Sequence, residues 1–147
     1  MTPARWRDLA EQAERARRRS YAPYSRYHVG AALLTPRGVV LGCNVENAAY
    51  PLCICAEAAA VARAVSQGWR QWIALAVATA GPTPGAPCGA CRQILAEFGL
   101  DLPVGLVVGG EVRRVVTVRE LLPWGFTGEV LAECTNAAQA ESPARRR

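Results

Sequence analysis

Two short segments, Cys55-Ala56-Glu57 and Pro87-Cys88-Gly89-Ala90-Cys91, constrain this chain more than any other feature. Three thiols at this spacing can hold one zinc ion and leave a fourth coordination position open. A carboxylate two residues from the first thiol then stands beside that open position. Structural zinc sites are usually closed by four protein ligands, whereas catalytic sites keep a place for water. To use all three thiols together, the fold must bring two segments distant in sequence to one point.

The patterning around these segments shows how it can do so. Trp6, Leu9, Ala10 and Ala13 recur at helical spacing, so residues 4–19 read as an amphipathic helix. Residues 29–34 and 39–44 read as strands joined by the turn Thr35-Pro36-Arg37-Gly38. Residues 55–67 are rich in Ala and Val and nearly apolar on all sides, as suits a helix buried inside the domain, with Gly68 as its stop. Residues 73–79 form an apolar run that fits a central strand. A second helix is expected over 88–98, strands over 103–108 and 112–117, and a short helix over 118–122. This order implies an α/β layered domain. Both cysteine clusters fall at helix N-termini, where the positive end of the helix dipole favours the thiolate a metal needs.

At 147 residues the chain fits one domain with a real core. We expect that domain to span 1–134 and residues 135–147 to form a flexible C-terminal tail. No apolar run approaches the roughly 18 residues of a membrane span. The start Met1-Thr2-Pro3-Ala4-Arg5-Trp6-Arg7 has no apolar stretch behind it, which favours the cytoplasm. Six cysteines in that compartment point to metal binding or free thiols rather than disulfides. Cys43, Cys53 and Cys134 then read as ordinary small thiols. The net charge of +5 collects at Arg15, Arg17, Arg18 and Arg19 on the first helix and Arg145, Arg146 and Arg147 at the end. A solvated helix face and a loose end account for it, so neither a nucleic-acid partner nor a membrane is expected.

A redox dithiol at Cys88 and Cys91 leaves Cys55 and Glu57 without a role. A closed structural zinc site needs a fourth ligand, for which Cys53 and His28 are candidates. A catalytic site uses every member of the motif. Zinc lowers the pKa of bound water from about 15.7 towards 7, and Glu57 can take the water proton and pass it on to a ring nitrogen and a departing amine. Cys55-Ala56-Glu57 with the later Pro87-Cys88-x-x-Cys91 resembles the zinc deaminases, in which the Glu is not a metal ligand.

Other segments narrow the resemblance. Tyr24-Ser25-x-Tyr27-x-Val29-Gly30-Ala31-Ala32-Leu33, Gly42-Cys43-Asn44-Val45-Glu46-Asn47-Ala48-Ala49-Tyr50, Arg92-Gln93 after the second cluster, and Glu120-Leu121-Leu122-Pro123-x-x-Phe126 resemble the small homotetrameric cytidine deaminases of pyrimidine nucleoside salvage. The likeness runs from about Tyr24 to Phe126. It implies a three-layer α/β/α domain with a mixed central sheet. It also implies one zinc per subunit on Cys55, Cys88 and Cys91, and hydrolytic deamination of cytidine and deoxycytidine to uridine and deoxyuridine with release of ammonia. Asn44 and Glu46 match residues that hydrogen-bond the ribose 3′-hydroxyl, and alternate positions of an extended strand do point the same way. Tyr27 and Ala56 are implied to line the substrate pocket. Ala48, Tyr50 and Phe126 match positions that neighbouring subunits supply, with Phe126 stacking on the base.

The chain departs from that pattern at three places. Ala58 stands where the family usually has Arg, a residue thought to offset thiolate charge by hydrogen-bonding ligand sulfur. Arg92 could offset part of that loss, or serve as a structural ion-pair partner. Tyr27 replaces the usual Phe. His28, the sole histidine, replaces a frequent Pro and reads as structural. Deamination of another aminopyrimidine nucleoside such as an antibiotic, or of a polynucleotide, are the competing activities. The latter needs a basic groove with stacking aromatics, and here the aromatics are scattered.

Overall fold

The computed structural model describes residues 1–141, with side-chain surroundings described through residue 136. In chain order the elements are α1 (Pro3–Arg17), β1 (Gly30–Thr35), β2 (Gly38–Cys43), a 3-10 turn (Tyr50–Leu52), α2 (Ala56–Ser66), β3 (Ala74–Thr79), α3 (Gly89–Ala96), β4 (Pro103–Val108), β5 (Glu111–Thr117), α4 (Val118–Leu121) and α5 (Gly128–Glu141). The strands form one sheet in the order β2-β1-β3-β4-β5. Only the β3–β4 pair is parallel; the other three are antiparallel. The sheet is therefore mixed, as expected. β3 is buried at all six positions, which explains why its sequence shows no alternation.

Each face of the sheet has its own core. On one side Leu9, Ala10 and Ala13 of α1 pack on Ala32, Ala74, Ala76, Ala78 and Val107. α1 starts cleanly because the Thr2 side chain accepts from the Arg5 N–H and Pro3 fills the first turn. On the other side Ala56, Ala60, Val61 and Ala64 of α2 join Leu33, Leu75, Val77, Leu95 and Val104. Burying a leucine such as Leu33 or Leu75 contributes about 1.5–3 kcal/mol. The result is the three-layer α/β/α arrangement.

Two glycines set the helix distances. A Cβ at Gly42 on β2 would lie 2.5 Å from Ala60 N and also strike Ala56 O, both in the backbone of α2. A Cβ at Gly30 on β1 would lie 2.7 Å from Arg17 Cα and strike Ala13 O, in α1. Small alanines on both helices complete these close approaches.

Two expectations need amending. α2 is not buried all round: Ala58 and Ala59 are half-buried, and Ala62 and Arg63 are exposed. Its apolar outer face has no covering element within the described chain. A helix also spans Gly128–Glu141, where the sequence analysis expects no helix after residue 122 and a tail from residue 135. Glu129, Leu131, Ala132 and Glu133 are good helix formers, and the reading there followed small polar composition instead. Residues 142–147 of the expected tail lie outside the described residues. No helix among the described residues is long and apolar enough to cross a membrane.

Candidate metal centre and active site

α2 and α3 present their N-termini to one point. Cys55 is the N-cap residue of α2, Cys88 is the N-cap residue of α3, and Cys91 lies in the first turn of α3. The Cys55 side chain makes no hydrogen bond to the start of α2, and the Cys88 sulfur faces the Cys91 N–H in the first turn of α3. The three Sγ atoms lie within 4.8 Å of one another, and Cys55 and Cys88 are 3.7 Å apart. Two sulfurs bound tetrahedrally at about 2.3 Å from zinc stand about 3.8 Å apart. The spacing and the soft thiolate donors thus fit zinc, and three protein ligands leave one position open. Cys53 and His28 do not close it. Cys53 Sγ accepts from the Asn47 N–H at 3.3 Å, and His28 Nδ1 sits 2.6 Å from Ser20 Oγ.

Without a cation these thiols oppose one another. Burial, then the hydrogen bond and charge of Cys88, push Cys55 up to about 11. Burial, with the charges of Glu57 and Cys55, also pushes Cys91 up. For Cys88 burial acts upward, but the Cys91 N–H and the Cys91 and Cys55 thiols outweigh it and hold the thiol below its ordinary value. A divalent cation supplies the charge that lets all three ionise together.

Glu57 follows on the first turn of α2 and is 5% exposed. Burial pushes its carboxyl above the ordinary range, against smaller downward pulls from its own backbone and the Cys91 thiol. It sits at the floor of a cleft of about 240 Å³, together with Ala56, Cys55 and Cys88. Tyr27, Asn44 and Glu46 line the same cleft. The structure therefore gathers seven of the expected site residues in one place: Tyr27, Asn44, Glu46, Cys55, Ala56, Glu57 and Cys88. Cys91 stands behind them, 1% exposed. Ala48, Tyr50 and Phe126 are not among the residues lining it. Tyr50 is 69% exposed and meets Tyr24 edge-on with ring centres 6.0 Å apart. Phe126 is 56% exposed, at the end of a loop whose carbonyl accepts from Gln93 Nε2 at 2.5 Å.

Among the described residues the Arg92 side chain donates to carbonyls and to no ligand sulfur, and it forms no ion pair. Its Nε donates to Pro87 O at 2.7 Å and its Nη1 to Leu121 O at 3.0 Å. It ties the residue before Cys88 to the end of α4. Thr79 and Ser25, which also line the cleft, carried no expectation. Thr79 Oγ1 accepts from the Gly85 N–H at 2.9 Å and so anchors the loop leading to Cys88. A polar residue ending a wholly apolar strand was the available signal.

The family model for the cytidine and deoxycytidylate deaminase zinc-binding region matches residues 5–106, a span that contains both cysteine segments. The cytidine deaminase of Sporosarcina psychrophila is 45% identical over 127 residues, covering 84% of this chain and 93% of that protein. This chain belongs to the cytidine deaminase family. The cytidine deaminase of Halalkalibacterium halodurans is 47% identical over 124 residues, 82% of this chain and 93% of its own. The crystal structure of cytidine deaminase from Burkholderia pseudomallei superposes with a TM-score of 0.78 at 46% identity, covering 86% of this chain and all of that one. Zinc is thus the family's metal, and the Cys55, Cys88 and Cys91 cluster is positioned to bind it.

Proposed function

We propose that this chain hydrolyses cytidine and deoxycytidine to uridine and deoxyuridine, releasing ammonia, with Glu57 as the proton carrier. The observation that carries the reading is a buried carboxyl group in a cleft lined also by Cys55 and Cys88, with the third converging thiol, Cys91, behind them. Bound zinc supplies a Lewis acid that makes water nucleophilic near neutral pH. Glu57 takes one proton from the attacking water and delivers it to the ring nitrogen beside C4. It then takes the second proton from the new C4 hydroxyl and passes it to the amine that leaves C4. The C4–N bond breaks, a C4–O bond forms, and the carboxylate ends in its starting state. Its burial in the cleft beside Cys55 and Cys88 suits Glu57 to this exchange, because a carboxyl held there passes protons within the pocket and not to bulk water.

Asn44 and Glu46 hold a sugar hydroxyl at the other end of the cleft, and Tyr27 and Ala56 line the space between. Ala48, Tyr50 and Phe126 complete the pocket of a neighbouring subunit in a homotetramer. Their exposure, together with the uncovered outer face of α2 and the exposed Leu52 and Ile54, supports that assembly. The six free thiols suit a reducing cytoplasm, where the enzyme returns nucleosides through pyrimidine salvage.

Ammonia release from cytidine by the parent and by Glu57→Gln tests the mechanism. The Gln chain should retain zinc and lose at least about 10²-fold in kcat. Undiminished turnover in that variant would remove Glu57 from the reaction.

A further inference from the structure

Residues 22–29 form one wall of the cleft without helix or strand, yet they are closely held. Arg26 has φ of 58°, a left-handed conformation that a residue with a Cβ adopts only when its surroundings impose it. The restraint comes from both sides. The Tyr24 and Ser25 N–H groups donate to Glu46 Oε2 at 2.8 and 3.2 Å. The Ser25 hydroxyl donates to Glu46 Oε1 and accepts from the Tyr27 N–H at 3.0 Å. Beyond the bend, Asn44 Nδ2 donates to Tyr27 O at 2.8 Å, and the Val29 N–H donates to Asn44 Oδ1 at 2.8 Å. The Tyr27 hydroxyl reaches the backbone of Gly85, where a Cβ would lie 2.6 Å from it.

An ionised carboxylate has about four lone-pair sites. Both on Oε2 are taken and one on Oε1 is taken, which leaves one acceptor on Glu46. Asn44 has one N–H of its amide uncommitted. One acceptor and one donor are the complement of a single hydroxyl, which donates once and accepts once. The Ser25 hydroxyl selects which Glu46 lone pair stays open. It also joins that carboxylate to the Tyr27 amide across the left-handed residue. A glutamate carboxyl is ionised near neutral pH, so the open site is an anionic acceptor, and the Ser25 hydrogen bond is the main influence lowering the Glu46 carboxyl further.

We infer that Ser25 is a positioning residue for sugar recognition: its hydroxyl orients Glu46 so that one acceptor faces a single sugar hydroxyl. This rests on the reading of Asn44 and Glu46 as the sugar clamp. Ser25 touches no reacting atom in this scheme, so its effect belongs in KM and in sugar discrimination, with kcat preserved.

The test compares cytidine with 3′-deoxycytidine, which lacks the hydroxyl in question, on zinc-loaded parent, Ser25→Ala, Ser25→Thr and Glu46→Ala. Ser25→Ala should raise KM for cytidine about tenfold, the scale of one lost hydrogen bond to a charged group. Its KM for 3′-deoxycytidine should stay near the parent value, so the preference between the two collapses. Ser25→Thr, which keeps the hydroxyl, should restore much of it. If Ser25→Ala does not accumulate, Ser25→Cys keeps the size, weakens the donor and should give the same split. An equal loss on both substrates would mean general disruption and would overturn the inference. Loss of discrimination in Glu46→Ala but not in Ser25→Ala would also overturn it while leaving the clamp intact. If Glu46→Ala leaves discrimination unchanged, the clamp reading itself fails.

Discussion

Placing one methyl group on Gly42 should damage the metal site through the fold. The site hangs from the N-terminus of α2, and α2 rests directly on β2 at Gly42, where a Cβ would stand 2.5 Å from Ala60 N and 3.0 Å from Ala60 Cα and also strike Ala56 O. These are backbone atoms, so no side chain can rotate away. Ordinary contact begins near 3.4 Å, so α2 must move by about 1 Å relative to the sheet. Overpacking of this kind costs about 1–3 kcal/mol. For a domain of this size that lowers Tm by roughly 2–12 °C. The same shift moves Cys55 and Glu57 away from Cys88 and Cys91, which ride on α3, and a misplacement of about 1 Å can cost on the order of 10²-fold in rate.

Gly30→Ala is the matched control. Its Cβ meets α1 as closely, 2.7 Å from Arg17 Cα, but on the opposite face of the sheet. Both variants should lose comparable stability. Gly42→Ala alone should lose most of its zinc to a mild chelator and most of its kcat per folded chain. The measurements are thermal melting, zinc content after gel filtration, and ammonia release from cytidine. Equal zinc content and kcat in the two variants would refute the claim that the β2–α2 contact sets the site.

Three further outcomes are expected. Ala58→Arg should raise kcat and slow zinc loss, by up to about tenfold, because groups that bond metal ligands typically change affinity or activity by about 10–100-fold; no change in kcat or in chelator-driven zinc release would count against the charge argument. The Asp101 carboxyl is held below its ordinary range by the Arg119 hydrogen bond and charge; the ionised form is therefore the one bound more strongly in the folded state. Its stabilisation is present above about pH 4 and lost as pH falls through the depressed value. The Tm advantage of the parent over Asp101→Asn should accordingly shrink between pH 6 and about pH 3, and an advantage that grew on acidification would contradict the sign. On the proposed assembly with shared pockets, mixing Glu57→Gln with Phe126→Ala subunits by gentle unfolding and reassembly should recover activity that neither variant has alone, since some pockets then draw an intact residue from each chain; no recovery in assemblies shown to be mixed would argue against shared pockets.

Much of this was readable from the sequence, for reasons that differ by residue. The thiols and Glu57 were visible because metal chemistry fixes both residue type and spacing. Their convergence followed from helix signals, since a cysteine that opens a helix must sit at its end. β3 was visible as an apolar run because both its faces are covered. The role of Ser25 was not, because it depends on the left-handed backbone of Arg26 and on a partner more than one strand away. Arg92 was misjudged because charge suggested a charged partner, while the fold offered it two carbonyls. The outer face of α2 read as buried because it is built of alanines, while no element among the described residues covers it.

The use of Arg92 bears on Ala58. With an arginine missing beside the thiols, the second cluster's own arginine is the nearest replacement in sequence, yet its Nε and Nη1 are spent on Pro87 and Leu121 carbonyls. Direct hydrogen bonding to the three thiolates is then left to the pair of helix N-termini, with the metal supplying the main positive charge. Each helix end acts like about half a positive charge and its influence fades within a turn. Cys88 benefits most, as the downward pull of the Cys91 N–H indicates, whereas Cys55 and Cys91 are pushed upward by burial. The helix ends therefore compensate one thiolate better than the other two. Added positive charge should help most beside Cys55 or Cys91, and position 58, three residues after Cys55 on the same helix, lies one turn away. An arginine at 62, on the same helix but exposed and a further turn from the thiols, should leave kcat and zinc retention unchanged. If Ala62→Arg matched Ala58→Arg, the benefit would come from net charge or helix propensity and not from compensation at the sulfurs.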